Sequence, residues 1–393
     1  MMKVFTGLEN LIRNPNTGLE SKRLGLLCNQ ASVDSNFRHV RDLVEKRFPG
    51  RLKALFSPQH GFFAEKQDNM IESADFTDPR LAIPVYSLYG KTRTPARSIM
   101  ESIDVLLVDL QDTGTRVYTF FTTLSYCMEA AAETGTRVVI LDRPNPTGGM
   151  QVEGNCLDPQ YASFVGRYPI PMRHGLTIGE FACYINSVFG IGCDLEVIPM
   201  KGWRRAMYFE DTGLPWIAPS PNLPAVSSVV VYPGQVLWEG TNVSEGRGTT
   251  LPFELFGAPF INTEEMEKAL GGCSFFAGAV LRPAIFEPTS GKWAHSPCRG
   301  FQIHVTDRKR FYPFRASLKL LFVVINLFTE DFAWKRPPYE YEYKKLPFDL
   351  ITGDPDIRKH IEAGRDPAEL ENNWRPGIRR YLEQVRPFYI YLN

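Results

Sequence analysis

The sequence lacks the local patterns that are typical of metal and nucleotide sites. Its seven cysteines include no C-x-x-C pair, which argues against a zinc ribbon or a thioredoxin-like site. Its six histidines form neither H-E-x-x-H nor H-x-H, so a zinc site has no support. No G-x-G-x-x-G follows the first predicted strand, and no phosphate-loop motif is present. We therefore predict neither a metal nor a cofactor.

Charge imbalance and long apolar runs are also missing. Lys plus Arg and Asp plus Glu both number 44, so there is no bulk field to attract nucleic acid or an anionic membrane. The longest apolar run, residues 318–328, is too short to span a bilayer. The first eleven residues show no signal-peptide pattern. The sequence predicts a soluble protein without nucleic-acid partner or stable membrane insertion. Its predicted location is cytoplasmic, or periplasmic or extracellular if the natural start differs.

Short apolar runs alternate with helix-like stretches in the first half of the chain, which favours an α/β fold with a parallel sheet. The 393 residues exceed the usual size of one hydrophobic core, so two domains are expected. Thr177 and Glu180 have the spacing of a helix-capping box. The predicted strands are residues 24–28, 52–56, 105–110, 138–141, 195–198 and 229–232, and the predicted helices are 37–48, 120–133 and 355–363.

Polar residues follow the first four predicted strands, and the carboxyl ends of parallel strands meet at one edge of a sheet. His60 and Glu65 follow the second strand. His60 could orient a substrate and Glu65 could act as a general acid or base. Equally, His60 could satisfy loop carbonyls and Glu65 could be a solvated side chain. Asp109 and Asp142 admit a similar choice between catalysis and a structural ion pair.

The run of residues 238–250 is the most unusual segment, because it combines carboxylates, an arginine, hydroxyls and three glycines with little apolar bulk. Such a segment predicts a polar site for a ligand rich in hydroxyls. Glu239 and Glu245 are candidates for glycosidic chemistry, which commonly needs two carboxyl groups. Arg247 could bind a substrate carboxylate through a bidentate fork, or form a salt bridge to either glutamate.

Ten short motifs together resemble the DUF1343 family, whose characterised members are exo-acting β-N-acetylmuramidases of the NamZ type (glycoside hydrolase family 171). The motifs occur in family order, and the resemblance runs from Gly25 to the C-terminal aromatic end. They are SPQHGF at 57–62, PVYSLYG at 84–90, DLQD at 109–112, LDRPNP at 141–146, VEG at 152–154, RHGLTIGE at 173–180, SPNLP at 220–224, YPG at 232–234, EGTN at 239–242 and PFE at 252–254.

This resemblance implies a Rossmann-like N-terminal domain, residues 1–165, and a smaller α/β C-terminal domain, residues 166–393, with the site in the cleft between them. The implied activity is the release of N-acetylmuramic acid (MurNAc) from the non-reducing end of peptidoglycan fragments, in cell-wall turnover or recycling. The expected partners are muropeptides or the disaccharide MurNAc-GlcNAc, in which GlcNAc is N-acetylglucosamine.

The resemblance also implies roles for single residues. The family's acid/base glutamate lies just after the His-Gly motif, which selects Glu65 here, with Glu239 and Glu245 as second choices. Relatives are expected to carry Gly where Ala64 stands, and many carry Glu where Gln59 stands. The predicted substrate-binding residues, whose arginines could meet the lactyl carboxylate of MurNAc, are His60, Asp109, Gln111, Arg116, Asn145, Arg173, His174, Asn242 and Arg247.

Two other functions remain open at this point. One is a non-catalytic protein that binds or senses muropeptides, and the other is a hydrolase of another N-acetylated or acidic sugar. Retention or inversion of configuration depends on a carboxyl separation of ~5–5.5 Å or ~6.5–9.5 Å, which a sequence does not contain.

Overall fold

A seven-stranded sheet forms the centre of the first part of the molecule. The computed structural model describes residues 3–15, 17–271 and 276–392. Within these residues six strands of the sheet run parallel, and the two-residue strand at one edge is antiparallel. Numbered along the chain and given in spatial order, the strands are β3 (Phe76–Thr77), β4 (Pro84–Ser87), β2 (Leu52–Ser57), β1 (Leu24–Cys28), β5 (Val105–Asp109), β6 (Arg137–Leu141) and β9 (Leu195–Ile198).

Helices cover both faces of this sheet. On one face lie α1 (Gly7–Arg13) and α2 (Val40–Arg47), and on the other lie α3 (Arg97–Met100), α4 (Phe120–Thr134) and α5 (Ile178–Val188). Successive strand residues point to opposite faces, and every residue of β1 and β5 is buried. Strands buried on both faces have continuous apolar sequences, which explains why short apolar runs were sufficient to predict them.

The predicted elements of the parallel sheet are confirmed. The strands predicted at 24–28 and 195–198 have the bounds of β1 and β9, and the other three differ by one residue at one end. The capping box of Thr177 and Glu180 is present at the start of α5. The helix predicted from residue 37 begins later, at Val40, because His39 acts as its N-cap.

A second domain contains a three-stranded antiparallel sheet, and a separate two-stranded pair is formed by residues between β6 and β9 in the chain. The predicted fold class, α/β with a parallel sheet and a further domain, is therefore confirmed. The remaining strands are β7 (Glu153–Cys156) paired with β8 (Pro171–Arg173), and β10 (Leu255–Ala258), β12 (Cys298–Val305) and β11 (Ala279–Phe286). The remaining helices are α6 (Val226–Gln235), α7 (Thr263–Leu270), α8 (Pro313–Leu327), α9 (Pro347–Thr352), α10 (Pro355–Glu362) and α11 (Leu370–Val385).

The strand predicted at residues 229–232 is wrong, because these residues lie in helix α6. A short apolar run has the same pattern in a buried strand and in a buried helix, and all four residues of this run are buried. The helix packs against α8. A Cβ on Gly234 would lie 1.9 Å from the Pro313 carbonyl oxygen, so the two backbones approach too closely for any larger residue.

The domain boundary predicted at residue 165/166 stays a prediction. Strand β9 lies beyond that point, yet it pairs in parallel with β6 and completes the seven-stranded sheet. Among the helices of the described ranges, none has the length and apolar character required to cross a membrane.

Candidate active site

Loops of the parallel sheet and segments of the second domain line a polar cavity that is partly open to solvent. Two of the loops follow β2 and β5 at their carboxyl ends, the edge where parallel sheets place their ligands. On the opposite side lie parts of residues 232–253 and a turn at residues 339–342. The polar side chains that line the cavity are Gln59, His60, Asn69, Tyr118, Thr119, Ser220, Asn222, Tyr232, Glu239, Arg247, Tyr339 and Glu340.

Glu239 is a buried carboxylate that is held by three donors. Arg247 Nη2 lies 2.7 Å from its Oε1, while Oε2 accepts hydrogen bonds from the Tyr339 hydroxyl at 2.7 Å and from Asn69 Nδ2 at 3.2 Å. Burial alone would raise the pKa of Glu239, but Arg247 and then Tyr339 outweigh it, so the pKa lies below its usual value. Glu239 is therefore an ionised group.

Arg247 joins two carboxylates and retains one free nitrogen. Besides Glu239, its Nε lies 3.2 Å from Glu245, whose other oxygen is 2.8 Å from Lys292 Nζ. Burial would lower the pKa of Arg247, but the two carboxylates raise it above its usual value. Its Nη1 is buried and has no hydrogen-bond partner among the described residues. The salt bridges considered from the sequence are thus present, and one donor is left over.

Glu340 is a carboxyl group of the cavity that our sequence analysis missed. It is 5% exposed, with one oxygen accepting from Gln59 Nε2 at 3.1 Å and the other from the Tyr89 hydroxyl at 2.6 Å. Burial, and then the nearby charge of Glu239, raise its pKa above the usual value, against the effect of these two hydrogen bonds.

A strained turn places Glu340 in the cavity. Tyr339 and Glu342 exchange two backbone hydrogen bonds of 2.9 Å, and the two residues between them have positive φ, +46° at Glu340 and +66° at Tyr341. Two positive φ values are the pattern of a type I′ turn, which normally uses Asn and Gly. Neither residue here favours that conformation, and such strain is concentrated at functional sites.

Gln59 is oriented by its neighbours. The Thr119 hydroxyl donates to its Oε1 at 2.6 Å, which directs the amide nitrogen toward Glu340. A glutamate at position 59 would place its carboxylate beside that of Glu340, and the two charges would repel unless one of the groups were protonated. The amide therefore suits a site in which Glu340 can ionise.

His60 and Glu65 lie on the loop that follows β2. His60 Nδ1 lies 2.7 Å from the Lys66 carbonyl oxygen, and because a carbonyl only accepts, Nδ1 carries the proton and Nε2 is free to accept. Burial, together with Arg247, lowers the pKa of His60 to about 4. Glu65 is exposed and is not among the residues lining the cavity. Its carboxylate oxygens lie 2.7 Å from the position that a Cβ of Gly61 would occupy.

Three residues of this loop have a left-handed backbone conformation. The φ angles are +74° at His60, +88° at Gly61 and +51° at Ala64. The last value explains why glycine is expected in relatives at position 64, since alanine is unfavourable at positive φ.

Five other predicted binding residues lie at strand ends or just after them, and all contact the protein itself. Asp109 pairs with Arg143, whose Nη2 lies 2.9 Å from it, and Gln111 donates to the carbonyls of residues 112 and 144. Asn145 donates to the Leu176 carbonyl. His174 is fully buried, and its Nδ1 accepts from the Leu176 N–H. Arg173 donates to the Gln151 side chain at 2.7 Å and to the Thr147 carbonyl.

Arg116 and Asn242 also hold protein segments together. Arg116 is 3% exposed and donates to four backbone carbonyls, those of residues 155, 170, 351 and 352. Asn242 donates to the Asp331 carbonyl and accepts from the Ala333 N–H. None of these seven residues lines the cavity, so of the predicted binding set it is His60 and Arg247 that meet there. In the described part of the chain no group of three or more His, Cys, Asp or Glu side chains is arranged to hold a metal ion.

Two family models match nearly the whole chain. They are the N-terminal and C-terminal parts of the exo-β-N-acetylmuramidase NamZ, at residues 24–227 and 230–391. The chain belongs to the NamZ family. The resemblance to DUF1343 proteins is thereby confirmed, and the two NamZ models meet near the start of α6.

Individual relatives agree with membership of the NamZ family. The chain is 42% identical over 389 residues to the peptidoglycan β-N-acetylmuramidase NamZ of Bacillus subtilis (strain 168), covering 99% of this chain and 92% of that protein. Two crystal structures of DUF1343 family proteins from Bacteroides fragilis NCTC 9343 are also similar over 100% of both chains. One has a TM-score of 0.89 at 31% identity, and the other 0.77 at 30%.

Proposed function

We propose that this protein is an exo-acting β-N-acetylmuramidase, a glycoside hydrolase that releases MurNAc from the non-reducing end of peptidoglycan fragments. Its 42% identity to the Bacillus subtilis enzyme over 99% of the chain supports this activity. The structural observation that carries the proposal is the free, buried Nη1 of Arg247 in a polar cavity that also holds two carboxyl groups. The predicted cytoplasmic location stays a prediction.

Arg247 is the proposed partner of the lactyl carboxylate, the group that distinguishes MurNAc from GlcNAc. A buried anion needs both a donor and a compensating charge. Arg247, Lys292 and Lys335 provide three positive charges around Glu239 and Glu245. These three positive charges exceed the two carboxylates by one, which favours one bound carboxylate.

Glu65 is the proposed general acid, as in the sequence analysis. It donates a proton to the glycosidic oxygen, the bond from that oxygen to C1 breaks, and positive charge develops on the MurNAc ring. Gly61 leaves room for the Glu65 carboxylate directly above its Cα. His60 joins the two ends of this segment through Lys66. Glu65 thus lies on a short closed loop whose first residues line the cavity.

Glu340 is the proposed second carboxyl group. It has two hydrogen-bond donors but no salt bridge among the described residues, so the positive charge developing on the sugar is what would favour its ionisation. Glu239 and Glu245, the second choices for the acid, are each paired with Arg247, and a paired carboxylate is a poor proton donor. They orient the arginine instead. Water completes hydrolysis by adding its oxygen to C1, and the proton that it releases restores the acid form of Glu65.

Incubation of the purified protein with MurNAc-GlcNAc, followed by mass spectrometry of the products, tests the proposal. We expect free MurNAc and free GlcNAc from the wild type. Glu65→Gln should lower kcat about 10²- to 10⁴-fold, the usual contribution of a general acid, and leave the fold intact because Glu65 is exposed. Glu133→Gln, an exposed glutamate near the end of α4, is the matched control and should behave as wild type.

Two outcomes would contradict the proposal. An intact disaccharide with calorimetrically detectable binding would indicate a muropeptide-binding protein without catalysis. Release of MurNAc by Glu65→Gln at the wild-type rate would leave the activity but remove Glu65 from the role of acid.

A further inference from the structure

An exposed aromatic cluster lies outside the cavity and includes Phe63, a residue of the loop that carries Glu65. Of the four phenylalanines that are strongly exposed among the described residues, three belong to this region, Phe37 at 66%, Phe63 at 53% and Phe76 at 37%. Single exposed apolar residues are ordinary, whereas contiguous ones mark a binding surface. The cluster is therefore a candidate site that the catalytic cavity does not include.

Phe63 is held as a fixed platform within this cluster. Its ring packs edge-on against the buried Phe62, with centroids 5.0 Å apart, and lies 6.0 Å from the ring of Phe76. Phe63 and Phe37 both line a groove. Phe37 holds its exposed position with a φ of +61°, an unusual conformation for a bulky residue.

The same groove contains an unused hydrogen-bond acceptor. Gln30 lines it, and its side-chain nitrogen donates to the Ala218 carbonyl at 2.5 Å. The Oε1 atom of the same amide is buried without a hydrogen-bond partner among the described residues. An aromatic face beside a free amide oxygen suits a sugar ring, which presents C–H groups on its faces and hydroxyl or amide donors at its edge.

The order of residues along the loop relates this groove to the cavity. His60 lines the cavity and Phe63 lines the groove, and three residues span at most about 11 Å. The Glu65 carboxylate lies against Gly61, which stands between His60 and Phe63 in the chain. If the acid acts on a bond whose MurNAc side occupies the cavity, the sugar on the other side of that bond leaves toward Phe63.

We propose that Phe63 is the stacking platform for the leaving saccharide, the uncharged 2-acetamido sugar that follows MurNAc in the glycan. This inference rests on the proposed function, with MurNAc in the cavity and Glu65 as the acid. The face of the leaving ring lies on Phe63, and Gln30 accepts a hydrogen bond from its edge. Phe63 makes no contact with the bond that breaks, so it determines affinity for the aglycone and takes no part in the chemistry.

Two substrates separate stacking from catalysis. MurNAc-GlcNAc has a leaving sugar, whereas the β-fluoride of MurNAc has a leaving group with no ring and needs no proton from the acid. Phe63→Ala should lower kcat/KM for the disaccharide about 3- to 10-fold, the effect of losing one aromatic contact, and should hydrolyse the fluoride as efficiently as wild type. Phe63→Tyr retains the aromatic face and should restore activity on the disaccharide.

Control variants identify which idea has failed. Ile285→Ala removes a more exposed apolar side chain from β11, outside both the groove and the cavity, and should match wild type on both substrates. Glu65→Gln should lose activity on the disaccharide but retain activity on the fluoride. If Phe63→Ala cleaves the disaccharide as wild type does, or loses activity on both substrates equally, the stacking role of Phe63 is wrong. The proposed muramidase activity is then unaffected. If the wild type cleaves neither substrate, the proposed function itself is wrong, and the inference that Phe63 binds the leaving saccharide is rejected as well.

Discussion

Tyr89 donates a 2.6 Å hydrogen bond to the carboxyl group of Glu340, 251 positions further along the chain. Tyr89 follows β4 in the parallel-sheet domain, whereas Glu340 lies at the strained turn of the second domain. The same hydroxyl accepts a hydrogen bond from the Met70 backbone N–H at 2.9 Å. One phenol therefore fixes the position of two walls of the cavity relative to each other.

Replacement of Tyr89 by Phe should shift the pH dependence of the enzyme. The hydrogen bond from Tyr89 lowers the pKa of Glu340, so its loss should raise that pKa still further. If Glu340 must ionise during turnover, the acidic limb of kcat moves to higher pH in Tyr89→Phe. The free energy of unfolding should also fall by about 1–3 kcal/mol, because a partly buried N–H and a buried carboxyl group each lose a partner.

The measurement is kcat between pH 4 and 9 with a parallel denaturant titration. Tyr184→Phe is the matched control, since Tyr184 is also buried and its hydroxyl bonds Gln384 away from the cavity. An acidic limb that stays in place in Tyr89→Phe would remove Glu340 from the ionising groups of the reaction.

Gly61→Ala should impair catalysis by displacing Glu65. The new Cβ would lie 2.7 Å from both carboxylate oxygens, and a flexible side chain moves before the backbone does. Because small misplacements of a catalytic group can lower rates by about 10²-fold, we expect a loss of that order in kcat, seen in disaccharide cleavage assays.

Gly50→Ala controls for backbone strain in that experiment. Gly50 has a φ of +71°, close to the +88° of Gly61, but its Cβ would meet no atom within 4 Å. Both variants should lose a similar stability of about 1–2 kcal/mol, while Gly50→Ala keeps full activity. Equal activities of the two variants would show that the position of Glu65 over Gly61 has no catalytic importance.

The parallel sheet could be predicted from the sequence because each of its strands is recognisable from its own residues. Each residue of β1 and β5 is buried, so composition alone marks the strand. The run at 229–232 failed because four buried apolar residues suit a helix as well as a strand, and α6 became a helix through its packing on α8. Tertiary contacts of that kind cannot be recognised from a few consecutive residues of the sequence.

The candidate site was only partly predictable, because its residues acquire their roles from distant partners. Glu340 lies in a segment that mixes proline, tyrosine and charge without periodicity, and its donors Gln59 and Tyr89 are 281 and 251 residues away. Arg116 and Arg247 are both plausible carboxylate ligands in sequence. Backbone carbonyls up to 236 residues away occupy Arg116, and that contact could not be read from the arginine's own neighbours.

Ala64→Gly should stabilise the protein. Ala64 has a φ of +51°, where an L-residue with a Cβ costs roughly 1–2 kcal/mol. Glycine removes that strain but loses more backbone entropy on folding, about 0.5–1 kcal/mol. The net expectation is a gain of up to about 1 kcal/mol in the free energy of unfolding, measured by denaturant titration. Ala132→Gly, at an exposed position in the last turn of α4, should lose stability instead, and a loss at both positions would contradict the strain at Ala64.

Arg247→Lys tests recognition of the lactyl group. Lysine retains the charge but cannot contact two carboxylates and also present a free planar donor. One charged hydrogen bond contributes about 1.5–3 kcal/mol, so KM for MurNAc-GlcNAc should rise about 10- to 100-fold. Preference for MurNAc-GlcNAc over GlcNAc-GlcNAc, which lacks the carboxylate, should fall with it.

Arg116→Lys provides the contrast to Arg247→Lys. Arg116 donates to four carbonyls and leaves the cavity untouched, so lysine should lower the free energy of unfolding while KM and the preference between the two disaccharides stay as in wild type. A rise in KM for Arg116→Lys alone would reverse the two assignments.

His60 should make stability depend on pH below neutrality. Its pKa falls from 6.5 to about 4 because the ring is buried and lies near Arg247, despite the bond to the Lys66 carbonyl. Between these two values the unfolded chain binds more protons than the folded protein, so stability rises with pH. The contribution of neutral His60 should be complete above pH 6.5. It should be lost as pH falls toward 4, by up to about 3 kcal/mol.

His60→Asn isolates this contribution, since asparagine does not titrate and tolerates the φ of +74° at this position. Denaturant unfolding at pH 4.5, 5.5, 6.5 and 7.5 should show a shallower slope for His60→Asn than for wild type, even though the variant is less stable at neutral pH. His304→Asn replaces an exposed histidine of β12 and should follow the wild-type slope. Parallel slopes for wild type and His60→Asn would mean that His60 is protonated as readily in the folded protein as in the unfolded chain, and that the closed loop around Glu65 does not depend on the neutral ring.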